Sequence, residues 1–189
     1  MDQSDSERGQ WPSWATEQVV VVDHDPAWAA QGTAERDLLQ PLLQPWLTGD
    51  IEHVGSTAVP GLAAKPIIDL QAPVEHLDVA NAVASVIAAH HWHYVSPELD
   101  QRPYRRFFVK VHADHRVAHL HLMTAGSRRW HQQLVFRDAL RADPALVDAY
   151  GQLKTQLAGD HHEDREAYTA GKRRFVHDVL SRHGVDTGL

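Results

Sequence analysis

The sequence predicts an α+β fold: a small mixed β-sheet, one or two helices against it, and a C-terminal helical layer. Three observations carry this. Short β-branched or apolar runs closed by turn residues recur through the first two thirds of the chain. Arg116–Met123 alternates, with Val117, His119, His121 and Met123 on one side and Ala118, Leu120 and Leu122 on the other. From Ser127 onward, helix caps and helical patterning take over. With 189 residues, 43% hydrophobic and 23% charged, the chain suits one globular domain, placed at residues 18–189, with a sizeable core.

In chain order, residues 1–17 are rich in Ser, Asp, Glu and Gln and read as a flexible or loosely packed leader. Gln18-Val-Val-Val-Val-Asp-His-Asp25 reads as a strand stopped by Pro26. A helix is expected from Ala27 to about Gln44, with Trp28, Leu38, Leu39, Leu42 and Leu43 available for one face. Pro41 should kink it and Pro45 end it. A strand near Asp50–Val54 leads into Gly55-Ser56, and a second covers Pro66–Gln71. Leu77, Val79, Val83, Val86 and Ile87 give Glu75–His91 a helical period. A short strand at His93–Val95 and a Pro-containing loop at 96–104 precede two strands, Arg106–His112 and Arg116–Met123. Ser127 can cap a helix reaching about Arg141. Asp143-Pro144 places an N-cap before Pro at the first helical position, opening a helix to about Ala158. A third helix is expected from about Glu163 to His183.

Composition narrows the function. The absence of cysteine excludes disulfides, zinc–thiolate sites and thiol nucleophiles. No run approaches the ~20 apolar residues of a membrane span, and the N-terminus lacks the apolar region of a secretory signal, so a cytoplasmic protein without a membrane partner is expected. A formal charge of −7 argues against a dedicated nucleic-acid binder but leaves room for a locally basic site. Fifteen histidines favour a metal site without locating one.

Candidate chemistry gathers in Ile51–Leu70, IEHVGSTAVPGLAAKPIIDL. Gly55 and Ser56, with Thr57 beside them, can turn backbone N–H groups and hydroxyls toward a phosphate; a plain tight turn is the competing reading. Lys65 precedes Pro66, so its backbone is extended and its side chain can point back along the loop toward an anion. Asp69 sits in an apolar strand, where a carboxylate needs a cation, a donor network or water. His119 and His121, two apart on a strand, face the same way, a spacing that suits metal ligands on a sheet as well as half-buried polar residues. Arg137 and Arg141, four apart, share a helix face. Together with Arg105 and Lys172 they are candidates for lining an anionic-ligand pocket, the competing reading being solvated helix charge.

The segments HVGSTAVPGLAAKPIIDL, HLHLM, FRDALRADP, YGQLK and DREAYTAGKRRFV, in that order, resemble the GrpB family from about Val19 to Leu180. The resemblance implies a nucleotidyltransferase-like fold, in which a Gly-Ser turn holds a triphosphate and carboxylates on neighbouring strands hold divalent metal. Gly55 and Ser56 match the turn and Asp69 the first carboxylate. Residue 71 is Gln71 where a second carboxylate is usual, and His119 and His121 occupy the strand where a third would stand. One aspartate with imidazoles points from magnesium toward a softer ion such as manganese, zinc or nickel, or toward no bound metal until substrate arrives.

Three functions remain open on this basis. The first is a nucleotidyltransferase-like enzyme, or a binder of a nucleotide or other phosphorylated small molecule, with Asp69 and Lys65 in catalysis and Asp69 with His121 holding a divalent ion. The second is a non-catalytic module using the same pocket. The third is a metalloenzyme of other chemistry with Asp69, His119 and His121 as ligands. A shared ion requires an imidazole nitrogen of His119 or His121 within about 5 Å of an Asp69 oxygen.

Overall fold

One parallel strand pair sits inside an otherwise antiparallel sheet and sets the layout of the molecule. The computed structural model describes residues 13–15 and 17–188. Its strands are β1 (Glu52–Val54), β2 (Ile68–Val74), β3 (Trp92–Val95), β4 (Arg105–His112) and β5 (His115–Thr124). They lie in the order β1-β2-β5-β4-β3, and β2 and β5 run parallel. Ala113 and Asp114, both at positive φ, make the tight β4–β5 turn, as a right-twisted hairpin requires. The helices are α1 (Ala27–Leu43), α2 (Ala80–Ile87), α3 (Pro97–Asp100), α4 (Arg128–Ala142), α5 (Pro144–Asp160), α6 (Arg165–Gly171) and α7 (Arg173–Arg182).

The two-residue period divides the sheet into an apolar and a polar face. Ile68, Leu70, Ala72 and Val74 join Ala118, Leu120, Leu122 and Phe108 on the first, packed under α1 (Trp28, Leu39, Leu43) and α2 (Ala80, Val83, Ile87). Each fully buried Leu or Ile there contributes roughly 1.5–3 kcal/mol, which makes this face the main source of stability. Asp69, Gln71, Arg105, Phe107, His119 and His121 fall on the other face, toward the C-terminal helices. Those helices pack separately, through Val59, Leu62, Leu140 and Tyr150 with Phe136 and Phe175. The sheet thus has a dry side and a side left free for chemistry.

The α+β expectation holds, with local corrections. Gln18–Asp25 is not a strand: it makes one bridge, Val22 to Ala64, and the Val19 amide donates to the His162 carbonyl. Its β-branched residues pair with a loop and a helix end, not with a sheet strand. Pro41 lies in the last turn of α1, which ends at Leu43. β2 continues to Val74; Pro73 is tolerated because β1 pairs only as far as Gln71 on that side. The 96–104 loop contains the short helix α3. The single helix expected over 163–183 is broken at Lys172 into α6 and α7, just after Gly171, whose lack of a side chain admits Leu157. Of the expected leader, residues 1–12 and 16 lie outside the described residues. Ser13–Ala15 forms a helical turn whose Trp14 and Ala15 carbonyls accept hydrogen bonds from Arg116. Among the described residues no helix is long and apolar enough to cross a membrane.

Candidate functional site

Gly55 takes φ 71° and ψ −169°, a region essentially reserved for glycine. A Cβ there would lie 2.6 Å from Asp69 Oδ2, so the Gly-Ser turn is pressed directly onto the carboxylate. The helical turn Ser56–Ala58 follows. Thr57 Oγ1 donates to the Ile67 carbonyl at 3.1 Å and accepts from His53 Nε2 at 3.0 Å. That hydroxyl therefore closes the 55–67 loop instead of offering itself to an anion. The His53 ring rests against Gly32 of α1. Burial, reinforced by Arg141 and Arg137 against an opposing pull from Asp69, pushes His53 down to about 4, so it is neutral at pH 7.

Parallel pairing puts Asp69 opposite His119 and Gln71 opposite His121. His119 Nδ1 donates to Asp69 Oδ1 at 2.9 Å, and His121 Nε2 lies 3.6 Å from the same oxygen. Desolvation alone would raise the Asp69 carboxyl, but the two imidazoles outweigh it and hold it well below the usual carboxylate range. Burial lowers His119 and brings His121 to about 4. On the far side of His121, Arg105 Nη1 lies 2.6 Å from Nδ1. Arg105 is itself gripped by Asp100 through Nε at 2.9 Å and Nη2 at 2.5 Å.

These contacts decide whether the three residues fit a metal. The distance condition is met: one ligand atom from each of Asp69, His119 and His121 falls within 4.8 Å of the others. The proton positions are wrong. A guanidinium only donates, so His121 Nδ1 must accept and its proton sits on Nε2, the nitrogen facing Asp69. Coordination through Nε2 would require that proton to move to Nδ1, against Arg105. His121 therefore presents no lone pair to an ion beside Asp69, and the set does not fit a three-ligand cation site.

The polar face opens into a cleft of about 720 Å³. Ser56, Lys65, Asp69, Arg102, Lys154 and Lys172 line it, as do Arg105, His119, His121 and Tyr168. Lys65 and Lys172 Nζ stand 4.8 and 4.3 Å from the centre of the Tyr168 ring. Lys154 is only 1% exposed and donates to the Ala63 carbonyl. Burial, then the charges of Lys172 and Lys65, push it down to about 7. Burial also lowers Lys172 to about 8, with Asp69 opposing and Arg102 adding. Trp14 and Ala15 border the cleft, although their segment was expected to be loose.

Of the residues singled out in the sequence, Ser56, Thr57, Lys65, Asp69, Arg105, His119, His121 and Lys172 come together here, with Gly55 pressed against Asp69. Arg137 and Arg141 do not. Arg137 binds Glu52 Oε2 at 2.7 Å and the His53 carbonyl at 3.0 Å, and Arg141 Nε binds the Ala58 carbonyl at 2.9 Å. Their shared helix face is real, but it clamps α4 onto β1 and the back of the turn. Lys154 and His53 were missed. A signal for Lys154 existed: it falls four residues after Tyr150 and three before Leu157, on the apolar stripe of α5.

The lowered histidines give a stability prediction. A group whose folded pKa is depressed stabilises the fold above its unfolded value and loses that contribution as pH falls through the folded one. For His53 and His121 the window runs from about 6.5 to about 4. His121 alone is expected to contribute a loss of roughly 3 kcal/mol across it. Urea midpoints should be level near pH 7 and fall steadily toward pH 4.5; a level midpoint throughout would contradict neutral, buried imidazoles.

Comparison with known proteins adds the following. The GrpB protein family matches residues 18–182. A UPF0157 protein of Pseudomonas aeruginosa is 37% identical over 92% of this chain and 71% of its own. The glutamate-rich protein GrpB of Alkalihalophilus pseudofirmus is 29% identical over 87% of this chain and 95% of its own. The crystal structure of the conserved protein GrpB from Enterococcus faecalis superposes with a TM-score of 0.76 at 30% identity, covering 86% of this chain and 96% of that one. This likeness, with the five-stranded mixed sheet, is consistent with a nucleotidyltransferase-like fold. A dephospho-CoA kinase of Mycolicibacterium paratuberculosis is 28% identical over 87% of this chain, which spans 46% of that protein.

Proposed function

The chain belongs to the GrpB family, and from that premise we propose that its cleft binds a phosphorylated small molecule, with a nucleotide as the form the fold suggests. The observation that carries this reading is the convergence of Lys65, Lys154, Lys172 and Arg102 beside the Gly55–Ser56 turn, in a chain whose formal charge is −7. Gathering cations in one cleft against that balance concentrates a field suited to a polyanion. Similarity to a protein described as a dephospho-CoA kinase accords with a phosphate-bearing ligand, but its activity is not carried over, since this chain spans less than half of it.

Group transfer asks more of the same residues. Lysines beside the phosphate stabilise charge that develops on it. His119, holding its Nδ1 proton toward Asp69, keeps Nε2 as an acceptor, and that buried nitrogen has no hydrogen-bond partner among the described residues. The second reading is a binding module without transfer; Gln71 in the place of a second carboxylate favours it. Release of pyrophosphate from nucleoside triphosphates separates the two.

Calorimetric titration with nucleoside mono-, di- and triphosphates tests the binding itself. Lys65→Gln is expected to weaken the best of them by about tenfold, or about 1.4 kcal/mol, with little change in melting temperature. If no phosphorylated compound binds, or Lys65→Gln binds as tightly as the wild type, the reading fails.

A further inference from the structure

We infer that Lys154, Lys65 and Lys172 form a phosphate subsite that needs no divalent ion, the lysines neutralising the ligand where related folds use metal. This rests on the reading of the cleft as a phosphate-binding site. The ligand class is a phosphate or pyrophosphate ester of a small molecule, held through its anionic end.

Lys154 is the central observation. It comes from the middle of α5, is 1% exposed, and lines the same cleft as Ser56. Its hydrogen bond to the Ala63 carbonyl fixes the ammonium at the end of the Gly-Ser loop. Lys65, from that loop, and Lys172, from the break between α6 and α7, approach one aromatic ring, Tyr168. Three separate elements therefore deliver ammonium groups to one place. Asp69, which also borders the cleft, is already engaged by two imidazoles. Buried like charges cost stability unless an opposite charge completes them. Lys154 feels that cost without ligand, since burial and then the charges of Lys172 and Lys65 lower it. A phosphate dianion entering beside Lys154 would supply that opposite charge.

The alternative is that a cation beside Asp69 carries the phosphate, as in two-metal transfer. The Arg105–His121 contact opposes it, because it directs the His121 proton at Asp69. Arg105 is also a fixed positive charge beside that position, held by both oxygens of Asp100.

The test uses inorganic pyrophosphate as the probe, with the full chain, in EDTA and in magnesium. In EDTA pyrophosphate should raise the melting temperature of the wild type and bind with an affinity within about twofold of that in magnesium. Lys154→Met should be at least as stable as the wild type without ligand, yet lose the pyrophosphate-induced rise. Lys172→Gln, at a less buried position, should weaken binding about tenfold and serves if Lys154→Met does not fold. Binding abolished by EDTA, or unchanged in Lys172→Gln, overturns the lysine subsite while leaving the cleft a phosphate site. Absence of pyrophosphate binding in both conditions, with nucleotides still binding, also overturns it. Absence of binding by any phosphorylated compound removes the reading on which it rests.

Discussion

Arg105→Met is expected to destabilise the protein by about 3–5 kcal/mol, the range for removing one partner of a buried ion pair. Both side chains of the Arg105–Asp100 pair are 7% exposed, so the substitution strands a carboxylate away from water. It also takes the donor from His121 Nδ1. Two measurements separate these effects. Arg105→Met/Asp100→Leu should regain most of the lost stability in urea unfolding, because no charge is left unpaired. In the same double variant the His121 proton is free to sit on Nδ1, so zinc or nickel affinity should rise above that of the wild type. Unchanged metal affinity would mean that Arg105 is not what keeps His121 from coordinating.

Gly55→Ala should cost about 3–5 kcal/mol, from backbone strain and from overpacking against Asp69. Gly61→Ala is the control. Gly61 also has positive φ, at 78°, but its nearest neighbour to an added Cβ is Val147 Cγ1 at 4.0 Å. It carries strain without collision. The excess loss at Gly55 combines the pressure of the turn on the carboxylate with the strain of its glycine-only backbone region, and a proton readout separates the two. Histidine NMR should show the His119 Nδ1 proton losing its bond to Asp69 in Gly55→Ala and keeping it in Gly61→Ala. Equal losses at the two glycines would mean that Asp69 yields freely.

What could be read from the sequence was whatever short-range periodicity controls. The alternation of Val117 to Met123 placed His119 and His121 on one face, and the cap at Asp143-Pro144 opened α5 where it was expected. The approach of Asp69 to both imidazoles followed from adjoining strands and the family resemblance. Arg137 and Arg141 were correctly put on one helix face, but which way that face turns depends on how α4 docks against β1, and no local pattern encodes docking. The identity of the Arg105 partner was hidden for a similar reason. Asp100 lies five residues away across a turn, and only the path of that turn folds it back. Lys154 shows the converse: its residue type assigns it to water, whereas its place between Tyr150 and Leu157 on the apolar stripe of α5 points it inward, and in the fold it is buried.

The parallel contact between β2 and β5 also governs when the cleft comes into being during folding. β3, β4 and β5 are sequential neighbours joined by short connections, whereas Asp69 and His119 are separated by 50 positions along the chain. Closing so long a loop loses chain entropy before any contact compensates for it, which makes such pairings slow. The β3–β5 meander can form early and locally. The seam that joins Asp69 to the imidazoles, and with it the floor of the cleft, arises only at the long-range step. A ligand that needs the finished cleft, with the C-terminal helices in place as well as the seam, finds only part of it in the folding transition state. It should therefore slow unfolding more than it speeds refolding.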